Sequence, residues 1–131
     1  MDTITYYHVT AAANVNDILR DGLQPASRRL GERVATARWI KRWAKRSERT
    51  WHDTLRHLGP YIGYDINRIC LFADHQEAMT WAEQEANMVV LAVEIDEYHS
   101  MSVDGLRDDG GEESAYATTE SIDPDQISVI A

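Results

Sequence analysis

Met88-Val89-Val90-Leu91-Ala92-Val93-Glu94-Ile95 is the strongest strand signal in the chain, apolar almost throughout and alternating only at its end. A strand of that kind needs cover on both faces, which predicts a place at the centre of a sheet. Downstream, Met101 to Glu113 carries Gly105, Gly110 and Gly111 among five acids and reads as an exposed loop. Short strands follow at Ala115 to Thr119 and Gln126 to Ala131, joined by a turn or single helical turn at Ile122-Asp123-Pro124-Asp125. These connections are too short and too glycine-rich for repeated parallel crossovers, so the sheet is predicted to be mixed or antiparallel and the fold class α+β.

Upstream, Arg68-Ile69-Cys70-Leu71-Phe72-Ala73 is a second apolar, central strand. Asp74 is placed to cap a helix over His75 to Ala86, with Glu77 three residues on as in a capping box. Thr3 to Val9, β-branched and aromatic, predicts a first strand with His8 near its C-terminal end. Val15, Ile18 and Leu19 then sit at helical spacing, and Gly22 supplies the left-handed residue that stops this short helix. Gln24-Pro25-Ala26-Ser27 continues as loop. Between these two halves, Thr36 to Leu58 predicts a long amphipathic helix, closed by Gly59-Pro60 and followed by an irregular stretch from Tyr61 to Asp65. Trp39, Ile40, Trp43, Trp51 and Leu55 fall within roughly 160° of its wheel, with Arg38, Lys41, Arg42, Lys45, Arg46, Arg49 and Arg56 on the other side.

A chain of 131 residues with 44% hydrophobic and 27% charged positions predicts one compact domain and excludes a disordered polymer. The lone cysteine, Cys70, permits no internal disulfide, suits a reducing cytoplasmic setting, and in its apolar strand is expected to be core. Neither a signal peptide nor an eighteen-residue apolar run occurs, so no membrane partner is expected. His52 and His57 stand five apart rather than four, a poor ligand pair, and no metal centre is expected. Walker, Rossmann and nucleophile-elbow signatures are lacking.

Charge is divided along the chain. Ten basic residues lie between Arg28 and Arg56 against three acids, about +7, whereas sixteen acids and two arginines follow His57, about −14. The plain reading is a solvated helix face and solubilising acidic loops; the alternatives are a nucleic-acid contact through the basic face of residues 38–56, or cover of that face by the acidic loop.

Three segments, in this order, resemble the ADP-ribosyltransferase fold shared by poly-ADP-ribose polymerases, RNA 2′-phosphotransferases and small bacterial and phage transferases. They are Tyr6-Tyr7-His8-Val9-Thr10 with Ile18-Leu19-Arg20-Asp21-Gly22-Leu23-Gln24-Pro25; Ile69-Cys70-Leu71-Phe72-Ala73-Asp74 with Ala78 and Trp81-Ala82; and Ala115-Tyr116-Ala117-Thr118 with Ile122-Asp123-Pro124-Asp125-Gln126-Ile127. The resemblance implies a single domain over residues 1–131, two small sheets enclosing a cleft for NAD⁺, and an inserted helical segment at about 28–64. It makes His8 the donor of a hydrogen bond to the nicotinamide-side ribose and puts the Thr10 backbone or hydroxyl close to the cofactor. Trp81 either stacks on nicotinamide or belongs to the core. Leu71 stands where the family commonly has tyrosine, and the catalytic glutamate position falls on Ala115, beside Tyr116. A shift of one or two residues, or a bulge, would make Glu113 the catalytic acid.

The implied activity is transfer of ADP-ribose from NAD⁺ to a macromolecular acceptor, foremost a protein, as in phage or mobile-element effectors. A non-catalytic acidic protein on the same fold, blocking a nucleic-acid-binding partner, is the rival reading. RNA 2′-phosphotransfer is a third, with Arg20, Arg28 and Arg29 as its only nearby cations.

Overall fold

The computed structural model describes residues 3–46, 50, 53–54, 56, 62–96, 102–103 and 115–130. Its elements run β1 (Thr3–Ala11), a 3₁₀ turn (Ala12–Asn14), α1 (Val15–Asp21), α2 (Ala26–Leu30), α3 (Glu32–Arg46), α4 (Ile62–Ile66), β2 (Ile69–Phe72), α5 (His75–Ala82), β3 (Met88–Asp96), β4 (Ser102–Val103), β5 (Ala115–Thr118), a 3₁₀ turn (Pro124–Gln126) and β6 (Ile127–Val129). The architecture is α+β, as the strand and helix patterns predict. The chain divides into two compact units, one of residues 24–69 and the other of residues 1–23 and 70–131.

The described strands form one six-stranded sheet in the order β4-β5-β2-β1-β3-β6. This corrects the expectation of two small sheets. β1 is paired on both edges, to β3 along nine register pairs from Thr3↔Asp96 to Ala11↔Met88, and to β2 at Tyr7↔Phe72 alone. That single pair joins the two halves of the sheet. The pairs β1–β2, β1–β3, β3–β6 and β4–β5 are all antiparallel. β3 lies one strand in from the edge rather than at the centre, because the short β6 pairs along Leu91↔Val129 to Val93↔Ile127. Ser102 and Val103, expected as loop, form a strand by pairing with Ala117 and Tyr116.

Sheet pleating sorts the side chains onto two faces. Tyr7 and Val9 of β1 pack with Phe72, Val90 and the α5 residues Ala78, Met79, Trp81 and Ala82. Tyr6, His8 and Thr10 take the opposite face, where their register partners on β3 are Val93, Leu91 and Val89. α5 begins as predicted, with the Asp74 carboxylate accepting the Gln76 N–H at 3.1 Å. It ends at Ala82 instead of Ala86, because the chain must turn to align Met88 with Ala11. Asn87 makes that turn at φ 62°, and its carbonyl accepts the Ala12 N–H at 2.7 Å.

α1 closes at Gly22, which takes φ 86° and ψ −179°, while its N–H reaches Ile18 O at 2.7 Å. Leu23 and Ile122 then exchange two backbone hydrogen bonds of 2.9 Å each. Asp123 and Gln126 form a capping box around the following turn, and Gln126 Nε2 donates to Glu94 O at 2.8 Å, fastening the turn to β3.

Within residues 24–69, α3 starts at Glu32, four residues before the predicted boundary, and α2 forms where loop was expected. Gly31 at φ 79° separates the two helices. Ala35, Ile40, Ile62 and Ile66 form a buried cluster against which Ala26, Leu30 and Trp39 pack. Ile62 and Ile66, one helical turn apart, explain why α4 forms in a stretch read as irregular. Most of the predicted helix beyond Arg46, including Trp51 and Leu55, lies outside the described residues.

Candidate functional site

His8 is held on β1 by a hydrogen bond from its Nδ1 to the Cys70 carbonyl oxygen, 2.8 Å away across the boundary with β2. A carbonyl only accepts, so Nδ1 carries the proton of this bond. The bond falls two residues from the Tyr7↔Phe72 pair, where the backbone ladder between these strands has ended. The orientation of the imidazole is thereby fixed from the backbone.

One step along from Tyr7↔Phe72, Leu71 comes opposite His8 and is 1% exposed. On the other side Leu91 is its register partner and is fully buried. Thr10, on the same face of β1, is buried and its hydroxyl takes a long 3.5 Å contact from Asn14 Nδ2. Tyr6, also on this face, meets the Tyr116 ring edge-on at a centroid distance of 5.4 Å. Burial, reinforced by Tyr116, pushes the Tyr6 phenol pKa up, so its hydroxyl stays protonated at neutral pH. Thr118, two residues beyond Tyr116, is buried and accepts the Glu120 N–H at 3.1 Å.

The structure therefore brings His8, Thr10 and Tyr116 to one face of the sheet and leaves Trp81 elsewhere. Trp81 packs on Phe72 with centroids 6.0 Å apart, in the cluster with Tyr7 and Val9 on the opposite face. Trp81 is half-buried there, because the turn at Asp74 lays α5 over the face that Phe72 occupies. Glu113 and Glu112 lie outside the described residues, and Ala115 opens β5, the strand next to β2. Cys70, expected in the core, is exposed, lying two residues from Phe72, where the single register pair with β1 ends. Arg20, a candidate phosphate ligand, is engaged by Asp21 at 2.9 Å and Asp17 at 3.2 Å on its own helix. Arg28 and Arg29 are exposed on α2.

Sequence reading missed the Cys70 carbonyl, the group that aims His8. A backbone acceptor leaves no signal in residue identity. Among the described residues of β1, β2, β3 and β5, the face around His8 offers an imidazole, threonine hydroxyls and phenols, and no carboxylate. Such a set suits the hydroxyls of a neutral sugar; a carboxylate would have to come from another segment. No cluster of three His, Cys, Asp or Glu that could hold a metal ion occurs among the described residues, and no described helix is long and apolar enough to cross a membrane.

Compared with known proteins, the chain matches no family model, no curated protein and no solved structure.

Proposed function

We propose that this chain is an ADP-ribosyltransferase-like protein that binds NAD⁺ as its substrate over the His8 face and transfers ADP-ribose to a macromolecular acceptor. The observation that carries this reading is the His8–Cys70 clamp at the parting of β1 and β2. It aims a rigid imidazole from the strand, the kind of polar group that positions a ribose hydroxyl. The order of the strands supports the same reading, since β5, β2 and β1, which carry the three family positions Ala115, Leu71 and His8, are consecutive neighbours. So does the Leu23–Ile122 bridge, which ties the first resembling segment to the last.

In this reading the His8 ring and the Thr10 hydroxyl orient the ribose, and the edge-packed Tyr116 flanks the base. The bond from ribose C1′ to nicotinamide breaks with its electron pair leaving on nicotinamide, and a nucleophile of the acceptor bonds to C1′. Glu113 supplies the negative charge that stabilises the cationic ribose in the transition state.

One observation favours the rival, a non-catalytic acidic protein on this fold: Leu71, buried and without a polar atom, occupies the position beside His8. Nicotinamide release separates the two. Incubated with NAD⁺, using water as the acceptor, the wild type is expected to release nicotinamide, and Glu113→Ala to slow this by about 100-fold, the scale of losing one transition-state charge partner. Binding of NAD⁺ with no release by the wild type would assign the chain to the rival reading.

A further inference from the structure

The basic face of α3 is not used by the His8 site. Arg38, Lys41, Arg42 and Lys45 are all exposed. At 100° per residue they fall within about 100° of arc, and at 1.5 Å per residue they form a stripe about 10 Å long. Among the described residues no acid pairs with any of the four. The other side of the helix is accounted for, with Ala35 and Ile40 in the buried cluster, Trp39 packed against it, and Trp43 on Trp39 at 5.8 Å between centroids.

We propose that this stripe is a docking surface for the phosphate backbone of duplex DNA. Four cations at spacing i, i+3, i+4 and i+7 present guanidinium and ammonium groups along one line, the arrangement that replaces the counterions of a phosphate row. An acidic protein is a poorer fit, because protein interfaces are centred on aromatic or apolar anchors and, apart from Val34 near its N-terminal end, the stripe has none. A single strand is a poorer fit as well, since both tryptophans of α3 are turned toward the core side and offer no ring for an unpaired base. The major groove of duplex RNA is deep and too narrow for a helix, whereas the B-form major groove, about 12 Å wide, admits one. Contacts to phosphates carry no sequence information, so the binding proposed is sequence-independent. This surface does not depend on the NAD⁺ reading.

The test is fluorescence anisotropy of a labelled 20-base-pair DNA duplex titrated with the full chain from 50 to 200 mM salt. Four phosphate contacts predict binding at the low end that weakens about 100-fold across this range. In Lys41→Ala/Lys45→Ala, whose alanines favour the helix, the slope of log affinity against log salt is expected to fall by about 2 with an unchanged circular dichroism spectrum. Arg38→Glu/Arg42→Glu, compared in the same way, should abolish binding. Absence of binding by the wild type at 50 mM salt, a wild-type slope in the folded variants, or equal or tighter binding to duplex RNA, single-stranded DNA or polyglutamate would overturn the proposal.

Discussion

Gly22→Ala is expected to lower the free energy of unfolding by about 3 kcal/mol, measured by urea denaturation. Gly22 sits at φ 86° and ψ −179°, a region that is essentially closed to residues with a Cβ. Strain of that kind costs on the order of 1–3 kcal/mol by itself. The added methyl also has nowhere to go: a Cβ built on Gly22 runs into the carbonyl oxygen of Ile122 and comes within 3.3 Å of Pro124 Cδ. Relief would require Leu23 and Ile122 to separate, and their two backbone hydrogen bonds of 2.9 Å would be lost. At about 1 kcal/mol each, those bonds make yielding no cheaper than strain. A loss under about 1 kcal/mol would mean that the joint between the first and last segments is not as tight as described.

Leu91→Ala is expected to cost about 3 kcal/mol by the same measurement. Leu91 is fully buried on β3, with neighbours in register on both sides, His8 on β1 and Val129 on β6. A sheet backbone held on both edges cannot close over the missing atoms, so most of the cavity should persist. The same substitution removes the floor beside His8. Leu19→Ala, on exposed α1 surface, is the comparison that should change stability little.

The parts of the fold that were legible in the sequence are those decided by local chemistry. The β-branched run of β1, the helix stop at Gly22, the Asp74 cap and the apolar period of Trp39 to Trp43 each speak through their own residues. What escaped was decided by partners distant in sequence. Ser102 and Val103 are strand only because β5 pairs with them, and α5 stops at Ala82 only because Met88 must align with Ala11. α2 and α4 are each five residues long, too short to show a period, and owe their burial to α3.

The candidate site divides along the same line. His8, Thr10 and Tyr116 are named by sequence and the pleat brings them to one face. Trp81 was within the right helix, yet which face of the sheet that helix covers follows from the turn after β2, a property no spacing within α5 encodes. Cys70 matters through its carbonyl and Leu71 through its place opposite His8, and neither role can be read from the side chain alone.

The central claim is that the clamped His8 ring is the anchor of an NAD⁺ site. Calorimetric titration of NAD⁺ into the wild type and into His8→Ala tests it without knowledge of the acceptor. Saturable binding by the wild type, weakened at least about tenfold in a folded His8→Ala, is the predicted result, corresponding to loss of a hydrogen bond worth about 1.4 kcal/mol. No binding by the wild type at millimolar NAD⁺, or equal affinity in the two proteins, would contradict it.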